Sequence, residues 1–381
     1  MMSTMLSIVI PTKDRYEYLI PVVRYFERFS GLYSFELIIE DNSLCNEERS
    51  KAAADFAFLP ELRYVHAPKL RDIIANFDAA FKRVTGIYSI LLGDDDFVTS
   101  DIFKSLDFCH RLGVDSVCFP LSWFHWSDLI ERIPALPSLS VSQTSPTEVM
   151  QLDANEQLMK IVKSQRYNLE FVAKVYHGII KTEIMHRCFN KYGTYFPGYS
   201  PDIGNASAIC REVEKHFFMP IHAVVAGFGG KSAGGLGAQK RHVGKIDDIT
   251  FLPKGILADW PEKVPYFWTG STVWAASILY VSGKTPEDDL TKNFSFSRFY
   301  GYMIVAHPKI LLNWLLTRNI FDCSKSCIGL VKILTDKVLL YSKSRPKMVT
   351  IMVAGPSLEN ASSSLEALNS ARLSSLFGDG S

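Results

Sequence analysis

Short apolar runs alternate with helical patterns along the first 92 residues, and this alternation limits the fold more than any other feature of the chain. Residues 6–10, 35–39, 62–65 and 88–92 have the composition of buried strands. Helical patterns stand between them at residues 14–29, 47–58 and 73–84. Such an order predicts an α/β fold of Rossmann-like type, in which helices flank a mostly parallel sheet.

Polar clusters follow three of these predicted strands. They are Pro11-Thr12-Lys13-Asp14, Glu40-Asp41-Asn42-Ser43 and Asp94-Asp95-Asp96. In parallel sheets ligands bind beyond the carboxyl ends of the strands. We therefore expect the three clusters to converge in space, although a long stretch of sequence separates the first from the last.

The three consecutive carboxylates of Asp94, Asp95 and Asp96 repel one another, so they need a cation or full exposure to water. Mg²⁺ and Mn²⁺ are hard ions that commonly bridge one or two carboxylates to a diphosphate. The alternative is a solvated acidic turn that caps the following helix. The apolar strand before the turn and the two companion clusters favour a metal site.

These motifs, taken in order, resemble the glycosyltransferases of family 2, which have the GT-A fold. The resemblance rests on the stretch from Ser7 to Arg15, on Glu40-Asp41-Asn42-Ser43, and on Asn76 through Gly86 to Gly93-Asp94-Asp95-Asp96, and it covers about the first 120 residues. It implies metal-dependent, inverting transfer from a nucleoside-diphosphate sugar, with a UDP-sugar favoured. The implied acceptor is a glycan or a lipid-linked glycan of bacterial surface polysaccharide or lipopolysaccharide synthesis.

The resemblance also assigns residues to roles. Thr12 and Asp41 hold the nucleotide base and ribose, Asp94 faces the ribose, and Asp96 binds Mn²⁺ or Mg²⁺. The full set of expected donor contacts is Pro11, Thr12, Asp14, Arg15, Asp41, Asn76, Asp94 and Asp95. Two departures affect the identity of the nucleotide: Asp14 stands where Asn is usual, and residues 68–71 replace a Gly-containing loop.

Glycosyl transfer also needs a base for the acceptor hydroxyl. Asp202, in Gly198-Tyr199-Ser200-Pro201-Asp202, is the candidate, because related enzymes resemble this sequence with a Pro-Asp pair. The alternative is that Asp202 is the N-cap of the next helix. For the neighbouring aromatic side chains of Tyr195, Phe196 and Tyr199, a stacking platform for an acceptor sugar and ordinary packing remain equal alternatives.

A Gly-rich stretch at residues 227–237 lacks the spacing of a phosphate-binding Walker loop. We expect it to be part of a lid over the donor diphosphate. The positive charge of that lid would come from Lys231, Lys240, Arg241 and His242. For His242, a solvated surface position is an equal alternative.

We expect a catalytic domain at residues 1–245 and a mainly helical region at 246–381. Within the first domain, the nucleotide-sugar half covers about residues 1–120 and the acceptor half residues 121–245. Residues 133–146 have the composition of a loop, and residues 362–381 that of a frayed end. The apolar and basic stretch 309–345 either packs on the core, which we favour, or lies on an anionic membrane surface.

The net charge of the 381 residues is +1, which offers no argument for binding nucleic acid. No signal peptide and no apolar run of about 18 to 20 residues is present, so a cytoplasmic protein is expected, either soluble or peripheral on the inner face of the cytoplasmic membrane. Two other functions stay open. One is a sugar-1-phosphate nucleotidyltransferase, although the glycines that it needs after the first strand are missing; the other is a catalytically silent glycan-binding protein. Oligomeric state is open as well.

Overall fold

The structure, a computed structural model, describes residues 4–44, 56–143, 145–166, 168–239, 241–284, 290–316, 348–353, 355 and 357–377. The predicted helix at residues 47–58 falls mostly outside these ranges. The described strands are β1 (Leu6–Thr12), β2 (Phe35–Asp41), β3 (Leu62–His66), β4 (Tyr88–Leu91), β5 (Phe97–Val98), β6 (Ser116–Cys118), β7 (Ser122–His125), β8 (Leu139–Ser142), β9 (Met150–Leu152), β10 (Ile179–Lys181), β11 (His216–Phe218), β12 (Val224–Phe228) and β13 (Met348–Ile351).

The described helices cover the sheets and form most of the described part of the chain after residue 245. They are α1 (Tyr16–Phe26), α2 (Ile73–Phe81), α3 (Asp101–Leu112), α4 (Ser127–Arg132), α5 (Ala154–Ser164), α6 (Thr182–Tyr192), α7 (Pro201–Ile209), α8 (Ala233–Ala238), α9 (Gly270–Gly283), α10 (Leu290–Asn293), α11 (Phe296–Ala306), α12 (Pro308–Leu315) and α13 (Leu358–Phe377). Among the described helices, none is long and apolar enough to cross a membrane.

Two sheets form the core of the protein. The larger has the strand order β3-β2-β1-β4-β10-β6-β11-β9, and the smaller has the order β13-β8-β7-β12-β5. Strands β3, β2, β1 and β4 run parallel, whereas β10 runs antiparallel to both of its neighbours. The predicted mostly parallel sheet flanked by helices is confirmed.

The strand β1 is buried along its whole length, because it lies between β2 and β4 and is covered on both faces. Its register pairs Thr12 with Asp41, while Val9 pairs with Leu91 just before the acidic turn. The polar clusters after β1, β2 and β4 therefore lie at one edge of the sheet. This confirms the predicted convergence.

The segment 133–146 is more regular than its Pro- and Ser-rich composition predicts. It contains β8, which pairs antiparallel with β7 on one side and with β13 on the other. Leu139 and Val141 alternate along β8 and are buried. Burial of these two side chains and pairing on both edges stabilise a strand where local composition predicts a loop.

The described end of the chain returns to the first half of the protein. Strand β13 extends the smaller sheet, and helix α13 packs against α1. Leu358, Ala361 and Leu365 of α13 are buried in the core. The prediction of a frayed segment from residue 362 is therefore wrong for the residues up to 377, because this helix has an apolar side that the core covers. The domain boundary at residue 245 stays a prediction.

Candidate active site

A cavity of about 640 Å³ opens at the carboxyl ends of β1 and β4. Six of the expected donor contacts line it: Pro11, Thr12, Asp14, Arg15, Asn76 and Asp95. The candidate base and three of the lid residues line it as well: Asp202, Lys231, Arg241 and His242. The structure thus brings together residues that the sequence analysis collected from five separate segments of the chain. Lys240 lies outside the described residues.

Asp94 is fully buried and does not line the cavity. The Thr12 hydroxyl donates to its Oδ2 at 2.5 Å, and the Arg15 Nε donates to the same oxygen at 3.0 Å. A second nitrogen of Arg15 lies 2.8 Å from Oδ1. The two-point contact of a planar guanidinium with a carboxylate has fixed geometry. Asp94 therefore holds Thr12 and Arg15 at the cavity wall.

Asp96 is also buried, and three groups donate to its carboxylate. The amides of Gly93 and Gly227 donate at 2.5 and 2.7 Å, and His177 Nε2 lies 2.5 Å from Oδ2. Burial alone would raise the pKa of Asp96, but the His177 ring and the two amides hold it below the ordinary value. Asp96 is therefore a buried, charged carboxylate, and the two amides and the His177 ring stabilise its charge.

Asp95 differs from its neighbours because it faces the cavity. Its Oδ2 accepts a hydrogen bond of 3.0 Å from the amide of Gly229. Burial, and then the charge of Asp96, raises the pKa of Asp95 to about 7. Asp95 is thus the carboxylate of the acidic turn that lines the cavity.

His177, which contacts Asp96, is a residue that the sequence analysis does not identify. It precedes β10 and reaches the acidic turn because Leu91 and the 175–177 segment exchange backbone hydrogen bonds of 2.9 and 3.1 Å. The chain offers no spacing motif around this residue, and the isolated parallel bridge between Leu91 and Tyr176, just before β10, places it there. No local signal could have identified it.

Asp41 lies at the end of β2 and does not line the cavity. Its Oδ2 accepts hydrogen bonds from the hydroxyl of Tyr16, at 2.5 Å, and from that of Tyr64, and its Oδ1 accepts one of 2.8 Å from the Ser43 amide. Its neighbour Asn42 does line the cavity. The role of Asp41 toward the ribose stays a prediction.

Asp14 and Asn76 both line the cavity. Asp14 has a positive φ of 55°, and its Oδ1 accepts a 2.9 Å hydrogen bond from the Leu44 amide. Asn76 is buried, and its Nδ2 donates at 3.4 Å to the carbonyls of Thr12 and Glu40. The Asn76 Oδ1 has no hydrogen-bond partner among the described residues. A buried acceptor of this kind is suited to a donor group on a ligand.

Asp202 is the second residue of α7, and Ser200 occupies the N-cap position. The Ser200 hydroxyl donates to Asp202 Oδ1 at 2.5 Å, and the Ile203 amide donates to the same oxygen at 2.7 Å. Among the described residues no group donates to Oδ2. Burial raises the pKa of Asp202. One oxygen is thus fixed, and the other is available to accept a proton.

Of the three aromatic side chains that precede Asp202, two pack in the core and one lines the cavity. Tyr195 and Phe196 are buried against Phe81, with ring centroids 5.1 and 5.5 Å away. Tyr199 lines the cavity, although it is almost completely buried. Further aromatic lining comes from Trp268 and Trp274, which the sequence did not single out.

The Gly-rich segment is tightly packed at its start. A Cβ on Gly227 would lie 1.8 Å from the Asp95 carbonyl oxygen, and one on Gly229 would lie 2.5 Å from the Tyr18 ring. Lys231 lies at the cavity wall with its Nζ 2.6 Å from Glu17. The His242 ring lies 5.2 Å from that of Trp268. The lid role of Lys231, Arg241 and His242 stays a prediction.

Among the described residues, no group of three or more His, Cys, Asp and Glu side chains is arranged to hold a metal ion alone. A carboxylate oxygen of Asp96 and an imidazole nitrogen of His177 do converge, at 2.5 Å. This is a hydrogen-bond distance, and neither side chain lines the cavity, so the assignment of a cation to Asp96 stays a prediction.

Residues 7–128 match the sequence model of Glycosyl transferase family 2. This confirms the resemblance that the motifs predict. No curated protein matches the chain in sequence.

Solved structures resemble the chain in fold. The crystal structure of S. aureus TarS 1–349 in complex with UDP-GlcNAc has a TM-score of 0.52 at 10% sequence identity, over 96% of this chain and 92% of that one. Another crystal structure of S. aureus TarS 1–349 has a TM-score of 0.47 at 12% identity, over 92% and 97% of the two chains. The first of these likenesses supports the GT-A fold, and at such identities a likeness extends to the fold alone.

Proposed function

We propose that this chain, a glycosyltransferase whose residues 7–128 belong to family 2, transfers a sugar with inversion from a nucleoside-diphosphate sugar to an acceptor hydroxyl. A single observation carries the proposal. Asp95 of the acidic turn and the candidate base Asp202 line the same cavity, together with Thr12 and Arg15. A site that binds a diphosphate donor and holds a carboxylate base is what this transfer requires.

We assign the donor to the end of the cavity formed by Thr12, Asp14, Arg15 and Asn76. The unpartnered Oδ1 of Asn76 is suited to accept a hydrogen bond from the nucleoside. A UDP-sugar is the favoured donor, in keeping with the family resemblance and with the UDP-GlcNAc that S. aureus TarS binds in its crystal structure. Lys231, Arg241 and His242 are the proposed lid contacts to the diphosphate.

We assign the cation, Mn²⁺ or Mg²⁺, to Asp96. When bound, a divalent cation supplies positive charge to the departing nucleoside diphosphate. Asp202 takes the proton of the acceptor hydroxyl through Oδ2, while Ser200 and Ile203 keep the other oxygen in place. Burial raises the pKa of Asp202 and so strengthens it as a base.

The acceptor is proposed to be a glycan or a lipid-linked glycan. Aromatic and apolar side chains in the cavity lining support it: Tyr199, Trp268, Val273 and Trp274. Aromatic side chains with a polar edge offer both packing area and a hydrogen-bonding group. The alternative of a peripheral membrane contact concerns residues 309–345, of which 317–345 lie outside the described residues.

A thermal-shift screen tests the proposal. The protein is heated with UDP, GDP, ADP and UDP-sugars, each with Mn²⁺ or with a chelator. A ligand at a hundredfold excess over its Kd stabilises the folded state by about 2.7 kcal/mol. We expect a uridine nucleotide with Mn²⁺ to give the largest shift, and Asp96→Ala to lose the metal-dependent part. Absence of a shift with every nucleotide would contradict the proposal.

A further inference from the structure

Tyr176 lines the cavity, and its hydroxyl lies beside the acidic turn. The hydroxyl oxygen is 3.3 Å from the point that a Cβ on Gly93 would occupy. Within the described part of the chain, no group makes a hydrogen bond with this hydroxyl. A polar group that lines a cavity without a protein partner is suited to a group on a ligand.

The ring of Tyr176 is held in position by its backbone and by its neighbour. An isolated parallel bridge joins Tyr176 to Leu91, the last residue of β4. The next residue, His177, has a φ of +62°, and its ring stacks on that of Tyr176 with centroids 4.2 Å apart. His177 is in turn fixed by its contact of 2.5 Å with Asp96. The hydroxyl is therefore in place before any ligand binds, which lowers the entropy cost of binding.

The surroundings of Tyr176 keep its hydroxyl protonated. Burial raises the pKa of Tyr176 well above its ordinary value, and three carboxylates add to this effect: Asp96, Asp95 and Asp202. The charge of Arg15 opposes them without reversing the shift. A tyrosine of this kind is a neutral hydrogen-bond donor at neutral pH. It stands in the part of the cavity that is bordered by the acidic turn on one side and by the candidate base on the other.

The transferred sugar is the part of the donor that belongs in this space. In an inverting transfer the base and the leaving group lie on opposite faces of the sugar. The proposed function places the base at Asp202 and the departing diphosphate at the acidic turn, so the sugar lies between them, beside Tyr176. The negative charge of the diphosphate calls for cationic groups, whereas a neutral phenol suits a neutral sugar hydroxyl.

We propose that the Tyr176 hydroxyl donates a hydrogen bond to a hydroxyl group of the transferred sugar and thereby helps to select which sugar is moved. The inference rests on the proposed function and adds a residue that determines specificity for the sugar. A site with a polar group placed for a substrate hydroxyl discriminates against an analogue that lacks it, because the protein group is then left unpaired.

Two variants separate a contact with the sugar from a contact within the fold. Tyr176→Phe removes one oxygen atom and no hydrogen bond of the described structure. Tyr88→Phe is the same change at the start of β4, where the hydroxyl donates to the Val114 carbonyl at 3.1 Å and the residue does not line the cavity. In urea unfolding we expect Tyr176→Phe to be at least as stable as the wild type and Tyr88→Phe to be less stable.

Calorimetry with Mn²⁺ then measures the Kd of UDP and of three UDP-sugars: UDP-glucose, UDP-galactose and UDP-GlcNAc. For the sugar that the wild type binds most tightly, Tyr176→Phe should raise the Kd by about two- to tenfold, the net worth of one neutral hydrogen bond. The Kd of UDP should not change in this variant. Tyr88→Phe should change neither Kd.

Analogues of that UDP-sugar, each lacking one hydroxyl, identify the group that Tyr176 contacts. The wild type should lose affinity for the analogue without the contacted hydroxyl. Tyr176→Phe should lose no further affinity for the same analogue, because each change removes the same hydrogen bond. Two changes that act on one contact are not additive, whereas changes at independent places are.

Four results would overturn the inference. They are an equal rise in the Kd of UDP and of the UDP-sugar, which assigns Tyr176 to the diphosphate; an unchanged Kd of the UDP-sugar in Tyr176→Phe; additive losses for every analogue; and a loss of stability in Tyr176→Phe, which would show that the hydroxyl serves the fold. In each case UDP still binds to the wild type, and the proposed function stands. A wild type that binds neither UDP nor any UDP-sugar would instead remove the proposed function.

Discussion

The amide of Gly227 donates a hydrogen bond of 2.7 Å to Oδ1 of Asp96, which connects the end of β12 with the acidic turn after β4. The Gly229 amide makes a similar contact of 3.0 Å with Asp95. Both contacts need a close approach of the two backbones. Residues 227–229, at the start of the Gly-rich segment, thus hold the acidic turn in place. If the segment acts as a lid, the residues that move come after them.

Replacing Gly227 by alanine should disrupt this contact. The new Cβ would lie 1.8 Å from the Asp95 carbonyl oxygen, so the two segments must separate. Insertion of a methyl group into a packed site costs about 1–3 kcal/mol. We expect a loss of that size in the free energy of unfolding in urea, together with loss of Mn²⁺-dependent nucleotide binding measured by calorimetry.

Gly237→Ala is the matched control for Gly227→Ala. Gly237 belongs to the same Gly-rich segment and lies in α8, and no described atom outside its own helix lies within 4 Å of the place that a Cβ would take. Because alanine is the better helix former by about 1 kcal/mol, the control should be neutral or slightly stabilising. If both variants lost the same stability and nucleotide binding, the contact with Asp95 would not be the cause of the loss in Gly227→Ala.

Asp202→Asn should leave donor binding nearly intact while transfer collapses. The amide keeps the shape of the side chain but cannot accept the proton of the acceptor hydroxyl, and loss of such a base costs roughly 10²- to 10⁴-fold in rate. Steady-state kinetics and calorimetry with UDP measure the two effects. Asp153→Asn, the same change at the start of α5, should leave the rate unchanged. Near-normal turnover of Asp202→Asn would mean that Asp202 is not the base and only stabilises the first turn of α7.

The pH dependence of transfer should show the raised pKa of Asp202. A base works only when deprotonated, so kcat/KM should fall as the pH decreases through this pKa, at a higher pH than for an ordinary carboxyl group. The Ser200 hydroxyl stabilises the charged form and lowers the pKa. Ser200→Ala should therefore move the acidic limb to higher pH. A limb that does not move would mean that another group controls it.

The edge of the sheet that carries the site could be predicted from the sequence. Apolar periodicity identifies β1, β2 and β4, and the rule that ligands bind at the carboxyl ends of parallel strands brings Thr12 and Asp94 together. The hydrogen bond of 2.5 Å between these two side chains agrees with that prediction. Both steps depend on the local pattern of apolar residues and on the regular geometry of parallel sheets. Tertiary contacts change neither of them easily.

Contacts made by segments that come later in the chain could not be predicted in this way. His177 reaches Asp96 through the isolated bridge between Tyr176 and Leu91, and Trp268 reaches the cavity through the fold of residues far from the motifs. The carboxylate of Asp41 faces Tyr16 and Tyr64 because of how α1 and β3 pack on β2. None of these relations has a local sequence signal.

The end of the chain gives the last prediction. Asn369 of α13 is fully buried; its Nδ2 donates to Asp101 Oδ2 at 2.8 Å and its Oδ1 accepts from the His222 amide at 2.8 Å. Asn369→Ala leaves two buried groups without a partner, at a cost of about 1–3 kcal/mol for each group. Urea unfolding of the whole protein should show this loss, whereas Ser363→Ala at an exposed position of α13 should not. Equal stability of the two variants would mean that α13 does not unfold together with the core.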